Sequence, residues 1–184
     1  MCIRDSYEAI RFQKLDLFTI ALKQIGAYIA KSQFSDAVNV LLNGDGNSNP
    51  AAAVTVTESG KFSYADLVKL WNELGDFKMN AIVADSDTAG KILNFAESKD
   101  SNAGMNFHAT GKMVTPLGAT LVKSDELTDT LLALDKNCAL EMVCAGDVLV
   151  EYDKLIDRQL ERAAITSIAG FSKIFADAVK KMSL

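Results

Sequence analysis

At 184 residues the chain is long enough to bury a sizeable core, in one domain or two small ones. Nineteen basic against twenty-four acidic residues give a net charge of −5, which argues against a dedicated nucleic-acid binder, whose affinity comes from Lys and Arg neutralising phosphates. Its apolar runs fall short of the roughly 20 residues a spanning helix needs, no signal peptide is evident, and Cys2, Cys138 and Cys144 lack a disulfide framework, so a reducing cytoplasm and no membrane are expected.

In chain order, Met1-Cys2-Ile3-Arg4-Asp5-Ser6 resembles a translated sequencing-adapter scar and is set aside from fold reasoning. On that reading the natural chain continues upstream. From Tyr7 to about Lys31, Leu15, Phe18, Leu22, Ile25 and Ile29 recur at helical steps and predict one apolar stripe. Leu17, Ile20 and Tyr28 lie off it and predict further neighbours. Ser35 or Asp36 is placed to cap a second, short helix with Ala37, Val38, Leu41 and Leu42 as its apolar face, and Gly44 and Gly46 end it.

The loop Asn43-Gly44-Asp45-Gly46-Asn47-Ser48-Asn49-Pro50 has two readings. Asp45, Asn47 and Asn49 match the first ligand positions of a calcium loop, but Pro50 stands where glycine is needed and Val56 where the bidentate Glu belongs. A tight turn, with glycines at positive φ and Asn/Asp side chains bonding local backbone, is the better reading.

Ser63-Tyr64-Ala65-Asp66 predicts a capping-box start, and Tyr64, Leu67, Val68, Trp71 and Leu74 a helical face with Trp71 in the core. Gly75 is placed to end that helix. Met79–Ala84 reads as a buried strand, and Asp85 or Ser86 as the cap of a helix turning Ile92, Leu93 and Ala96 inward. The segment from Ser98 to Thr110 reads as a mobile loop. Strands are expected at Lys112–Lys123, Thr130–Ala133, Ala139–Val143 and Asp147–Tyr152, then a closing strand near Asp157–Phe175.

Catalytic and cofactor patterns fail one by one. Gly104 with Gly111-Lys112-Met113 has the wrong glycine spacing for a phosphate loop and lacks its Ser/Thr. Gly44-Asp45-Gly46 follows a helix, not a strand, and has no third glycine. His108, the single histidine, sits on a polar loop without a partner to tune it. Cys138 and Cys144 share strand parity with Leu140 and Met142 and read as small buried side chains. Asp85/Asp87 and Asp125/Glu126/Asp129 sit beside caps and turns, where carboxylates are favoured. No catalytic, metal or cofactor-binding residue is expected, and no enzyme.

The order of the elements resembles the tailed-phage major capsid proteins of the Hong-Kong-97 type. Asn43, Gly44, Asp45, Gly46 and Pro50 match that family's turn after its spine helix. Gly111-Lys112-Met113-Val114-Thr115-Pro116-Leu117-Gly118 looks like its "Gly-Lys…Pro-Leu-Gly" element, and Leu131-Leu132-Ala133-Leu134-Asp135-Lys136 stands where it has a strand ending in Gly-Asp. Arg158, Arg162, Ile165, Ile168 and Phe171 match its closing strand. The likeness runs from Tyr7 to Met182, without the arm and extended loop that precede the spine helix.

The resemblance implies an α+β fold in two lobes. A peripheral lobe would hold residues 7–50 and 156–184, with Leu22 and Ile25 against the Glu161–Ile174 region, and an axial lobe residues 51–155. It implies a virion capsid subunit assembled in the host cytoplasm into pentamers and hexamers around double-stranded DNA. Scaffold and portal proteins would be its other partners, and the DNA would be contacted non-specifically. An encapsulin-type compartment shell shares the fold. A small α/β ligand-binding or enzymatic domain is the rival of another class, and a deep polar pocket at Ala84-Asp85-Ser86 would favour it.

Overall fold

The computed structural model describes residues 2–6, 17–58, 61–96 and 114–184. Its elements are β1 (Cys2–Ser6), α1 (Leu17–Asn43), β2 (Ala52–Thr55), α2 (Tyr64–Glu73), β3 (Ala81–Ala84), α3 (Ser86–Leu93), β4 (Thr120–Lys123), β5 (Thr130–Leu134), β6 (Leu140–Cys144), β7 (Leu149–Leu155), β8 (Leu160–Thr166), β9 (Ala169–Lys173) and β10 (Val179–Ser183). The fold is therefore α+β, as expected. The chain divides into two compact units: Met1–Asp36 with Met142–Gly170, and Ala37–Glu141 with Phe171–Leu184. It crosses between them inside α1, inside β6 and inside β9. The expected lobes were 7–50 with 156–184 and 51–155; the C-terminal strand β10 belongs to the large sheet of the second unit.

That sheet has the order β2-β10-β5-β3-β4. β5 runs antiparallel to both β10 and β3, while β2 and β4 run parallel to their neighbours. Successive side chains of a strand point to opposite faces, and both faces here are covered. Ile82, Ala84, Leu131, Ala133 and Met182 join Leu67, Leu70 and Ile92 of α2 and α3 in one core. Ala81, Val83, Leu132, Leu134 and Val179 join Val38 and Leu41 from the end of α1 in the other. Burial on both sides explains why β3 and β5 read as unbroken apolar runs rather than alternations.

α1 is one helix of 27 residues, about 40 Å long, not two. Ser35 and Asp36 lie inside it: neither glycine nor proline stands between Lys31 and Ser35, so nothing stops the helix before the supposed cap. Residues 7–16 lie outside the described part. Of the expected stripe, Ile25 is buried and Leu22 and Ile29 are half-buried, while Ile20 and Tyr28, which lie off it, are exposed. α2 begins as expected, with the Ser63–Asp66 capping box, and Gly75 follows it at φ +58. Its inward face is Leu67, Leu70 and Leu74; Trp71 is 52 % exposed. Leu70 centres the stripe, and the next residue is rotated by about 100° away from it. Asp85 caps α3 by accepting from the N–H groups of Asp87 and Thr88. That helix ends at Leu93, so Ala96 is exposed and does not face inward.

Strand expectations held in part. Thr115-Pro116-Leu117-Gly118 is a tight turn, with Gly118 donating to the Thr115 carbonyl and standing at φ +82, so β4 begins only at Thr120. The closing strand is broken into a 3-10 turn at Ile156–Arg158, then β8, then β9. Cys144 is exposed and Cys138 half-buried, against the expectation that both are buried.

In the first unit β8 is the centre of a three-stranded antiparallel sheet of order β1-β8-β7. Cys2–Ser6, set aside above, supplies β1. The pairing uses backbone groups, so it is indifferent to side chains and to the origin of these codons. β7 and β8 form a hairpin that turns through Ile156–Gln159, with Gln159 at φ +48. Ala163 and Ile165 of β8 are buried, and Gln33 of α1 donates to the Ser167 hydroxyl at 3.1 Å.

Candidate functional site

At the glycine turn and the α2 cap, the polar groups singled out in the sequence are bonded within the fold. At the end of α1, Gly44 (φ +88) and Gly46 (φ +96) turn the chain back. Asn49 accepts the Asp45 N–H at 3.1 Å, and Asp45 accepts the Asn47 N–H at 3.2 Å. This is the tight turn rather than the calcium loop, and among the described residues no group of three or more His, Cys, Asp or Glu could hold a metal. Sequence reasoning missed the group that completes it, Lys173 at the end of β9, which is 6 % exposed. Its ammonium donates to the carbonyls of Leu41 at 3.1 Å and Asn49 at 2.8 Å, placing a cation where helix carbonyls lack partners. Asp45 in turn accepts the Lys173 N–H at 3.0 Å. That bond chiefly holds the Asp45 carboxyl below its usual range, whereas burial pulls the Lys173 ammonium down. A buried lysine paired with backbone carbonyls leaves no periodic signal in a sequence.

Three other aspartates are similar. Burial pulls Asp66 upward, but bonds from Thr57 and Ser63 outweigh it and leave the carboxyl below its usual range. Asp135 ends β5, accepts the Lys78 N–H at 3.0 Å and the Asn80 side-chain amide at 2.7 Å, and is likewise held low by those bonds and the Asn137 N–H against its burial. Asp85 is held low by Thr88 and Asp87 against burial. Its Oδ2 is spent on the α3 cap, while Oδ1 is buried without a hydrogen-bond partner among the described residues. The depression beside it, lined by Phe62, Ser86, Asp87, Gly90, Lys91, Asn94 and Phe95, is open and not the deep polar pocket a ligand-binding domain would need. His108, with Gly104, Gly111, Lys112 and Met113, lies outside the described residues.

What the geometry does concentrate is exposed apolar surface. Among the described residues, 14 large apolar side chains are exposed, and 11 of them lie in the first unit. Ile156 at the hairpin tip is 89 % exposed, Tyr152 and Ile168 are 65 % exposed each, and Val143 and Val148 are 57 % exposed each. Among its described residues the same unit buries Ile25, Ala163 and Ile165 of the apolar core. These side chains are the candidate contact surface among the described residues.

The family described as phage capsid protein matches residues 3–171. Among curated proteins no sequence matches. Solved structures share the fold. The capsid of a native GTA particle superposes at TM-score 0.74 with 15 % identity, over 99 % of this chain and 70 % of that one. Mycobacterium phage Che8 gives 0.70 with 16 % identity over 99 % and 68 %. The holo-SrpI encapsulin complex of Synechococcus elongatus PCC 7942 gives 0.70 with 14 % identity over 100 % and 71 %.

Proposed function

The chain belongs to the phage capsid protein family and is a structural subunit of a capsid, and from that premise we propose that it assembles with copies of itself into pentamers and hexamers that close around double-stranded DNA. The observation that carries the reading is the apolar surface of the first unit, which a lone subunit leaves in water and a ring of neighbours would cover. We assign that unit, which holds α1 up to Asp36 and the β1-β8-β7 sheet, to the peripheral lobe and the five-stranded unit to the axial lobe. Head-to-tail contacts close into rings when the rotation between subunits is fixed, and many modest contacts suffice where no single one is tight. A net charge of −5 fits a lining that tolerates DNA without gripping it. Catalysis has no part in this role. Scaffold and portal proteins are the further partners, and assembly takes place in the host cytoplasm.

Electron microscopy tests this on the expressed protein, with and without a neighbouring scaffold gene. Closed shells or capsomers are expected; a dispersed monomer in both samples overturns the reading. The similarity to an encapsulin makes the cargo a separate question. Terminase and portal genes beside this one are expected, and a cargo-enzyme gene in their place would reassign the shell to a compartment.

A further inference from the structure

Helix α1 is apolar on two sides. Leu22, Ile25, Ile29 and Gln33 make its buried and half-buried side, turned to its own unit, where Gln33 donates to the Ser167 hydroxyl at 3.1 Å. At about 100° per residue, Ile20, Lys23, Ala27, Ala30 and Phe34 fall roughly 140° round the helix from that side, and all five are exposed. Their steps of three and four are those of the a and d positions of a heptad, with Ile20, Ala27 and Phe34 at a and Lys23 and Ala30 at d. Gly26 lies beside this seam, and a Cβ built on it would meet nothing within 4 Å. The subunit's own packing therefore does not call for a residue that weakens a helix interior. All of these residues lie in the first unit.

We propose that this seam packs antiparallel against the same seam of a second copy, with Lys23 of each subunit over the ring of Phe34 of the partner subunit. In a parallel helix pair like positions face each other, whereas in an antiparallel pair each a position layers with a d position. The parallel arrangement would set Lys23 against the partner's Lys23, and facing like charges repel. The antiparallel register centred between Ala27 and Ala30 layers Lys23 with the partner's Phe34 twice and Ala27 with the partner's Ala30 twice. A slide of one heptad in either direction breaks both Lys23–Phe34 pairs and sets one member of each against alanine. An ammonium over an aromatic face is attracted by the ring's quadrupole, so the seam's one charge is matched in the central register alone. The alanines at its middle, with Gly26 beside them, let the helix axes approach to about 8 Å, the close end of the usual range. The contact is isologous, using the same patch on both subunits. Head-to-tail contacts make rings, and a self-complementary one joins a ring to the next across a two-fold axis. From Ile20 to Phe34 the seam runs about 21 Å, short of the roughly three or four heptads of a coiled coil. It is therefore weak alone and becomes firm when repeated through a shell. The inference rests on the capsid reading for its partner, a second copy of this chain.

Disulfide trapping in the full chain tests it, with Cys2, Cys138 and Cys144 changed to Ser. A mixture of Ala27→Cys and Ala30→Cys chains is expected to give a linked dimer on oxidation. Ile20→Cys alone is expected to stay unlinked, because in this register its two copies stand about 25 Å apart along the helix axis, beyond disulfide reach. Two further changes are then added to the linking mixture. Gly26→Leu fills open space on an exposed helix, so it is expected to keep the fold by circular dichroism and urea unfolding while the bulk it adds abolishes the link. Lys23→Gln keeps most of the stem and removes the cation; it is expected to lower the yield of link about fivefold, as two lost cation–aromatic pairs would, and Lys23→Arg to restore it. An unlinked mixture or a link at Ile20→Cys overturns the contact, as does an undiminished link in folded Gly26→Leu or in Lys23→Gln chains. Electron microscopy of the same samples separates the two ideas. Shells without the 27–30 link remove the helix contact and leave the capsid reading standing; the link without shells does the reverse.

Discussion

Asp45 binds the backbone of Lys173 rather than its ammonium: the carboxylate accepts the Lys173 N–H at 3.0 Å, while the ammonium reaches the carbonyls of Leu41 and Asn49. The two residues thereby tie the last turn of α1, the glycine loop and the end of β9 into one knot, 128 residues apart in sequence. Lys173→Met keeps the volume of the stem but removes the donor. Two carbonyls then lose their partner in a largely buried place, and the expected loss is about 1–3 kcal/mol in urea unfolding. An unchanged midpoint would show that water replaces the ammonium at no cost.

Leu70 and Trp71 separate the true core face of α2 from the expected one. Leu70 is fully buried and Trp71 is 52 % exposed. Leu70→Ala is expected to cost about 2–5 kcal/mol, and Trp71→Ala no more than about 0.5 kcal/mol, as for an ordinary surface change. Chemical denaturation of the two variants, with tryptophan emission near that of a water-exposed indole in the parent, checks the assignment. The reverse ranking would restore Trp71 to the core.

Acid should weaken the fold through the aspartates that fasten loops. Asp45, Asp66, Asp85 and Asp135 all have carboxyls held below their usual range. A depressed folded pKa contributes stability that is complete above the unfolded value, about 3.9, and is lost as pH falls through the folded one. Unfolding free energy is therefore expected to be flat with respect to these groups above about pH 5 and to fall below about pH 4. Lys173 has the opposite sign. Its lowered pKa means that rising pH relieves a buried charge, so its contribution improves toward its unfolded value near 10.4. Denaturant midpoints in the presence and absence of Asp66→Asn, measured across the acid range, should converge as the pH drops; parallel curves would remove Asp66 from this account.

Legibility followed physical range. Caps, turns and fully buried strands are written in neighbouring residues, so Ser63–Asp66, Asp85, the Gly44/Gly46 turn and β3 could be read directly. The length of α1 was misread because Ser35 and Asp36 are cap-type residues, yet a cap needs a preceding stop and none is there. β10 gave no signal: Lys180 and Lys181 sit side by side in a strand whose Val179 and Met182 are buried, so no alternation betrays it. Lys173 was invisible because its partners are carbonyls brought near only by the fold. For the surface, the resemblance implied the role, but the placement of exposed apolar side chains on one unit needed the structure.

Ile156 gives the sharpest test of surface against fold. It sits at the tip of the β7–β8 hairpin with 89 % of its surface in water, flanked by Asp157 and Arg158, themselves 73 % and 70 % exposed. A branched apolar side chain held out at a hairpin tip gains nothing for its own chain, since burial is what stabilises it. Ile156→Ser should therefore leave the unfolding midpoint of the subunit within about 0.5 kcal/mol of the parent. On the proposed role a neighbouring subunit covers this side chain, and its removal is repeated in every subunit, so a small loss per contact is multiplied over the shell. The expected result is fewer or less stable assemblies by electron microscopy and light scattering, from a subunit whose urea curve is unchanged. Destabilisation of the isolated subunit would mean that the tip serves its own fold, and unaltered assembly would place the contact surface elsewhere on the first unit.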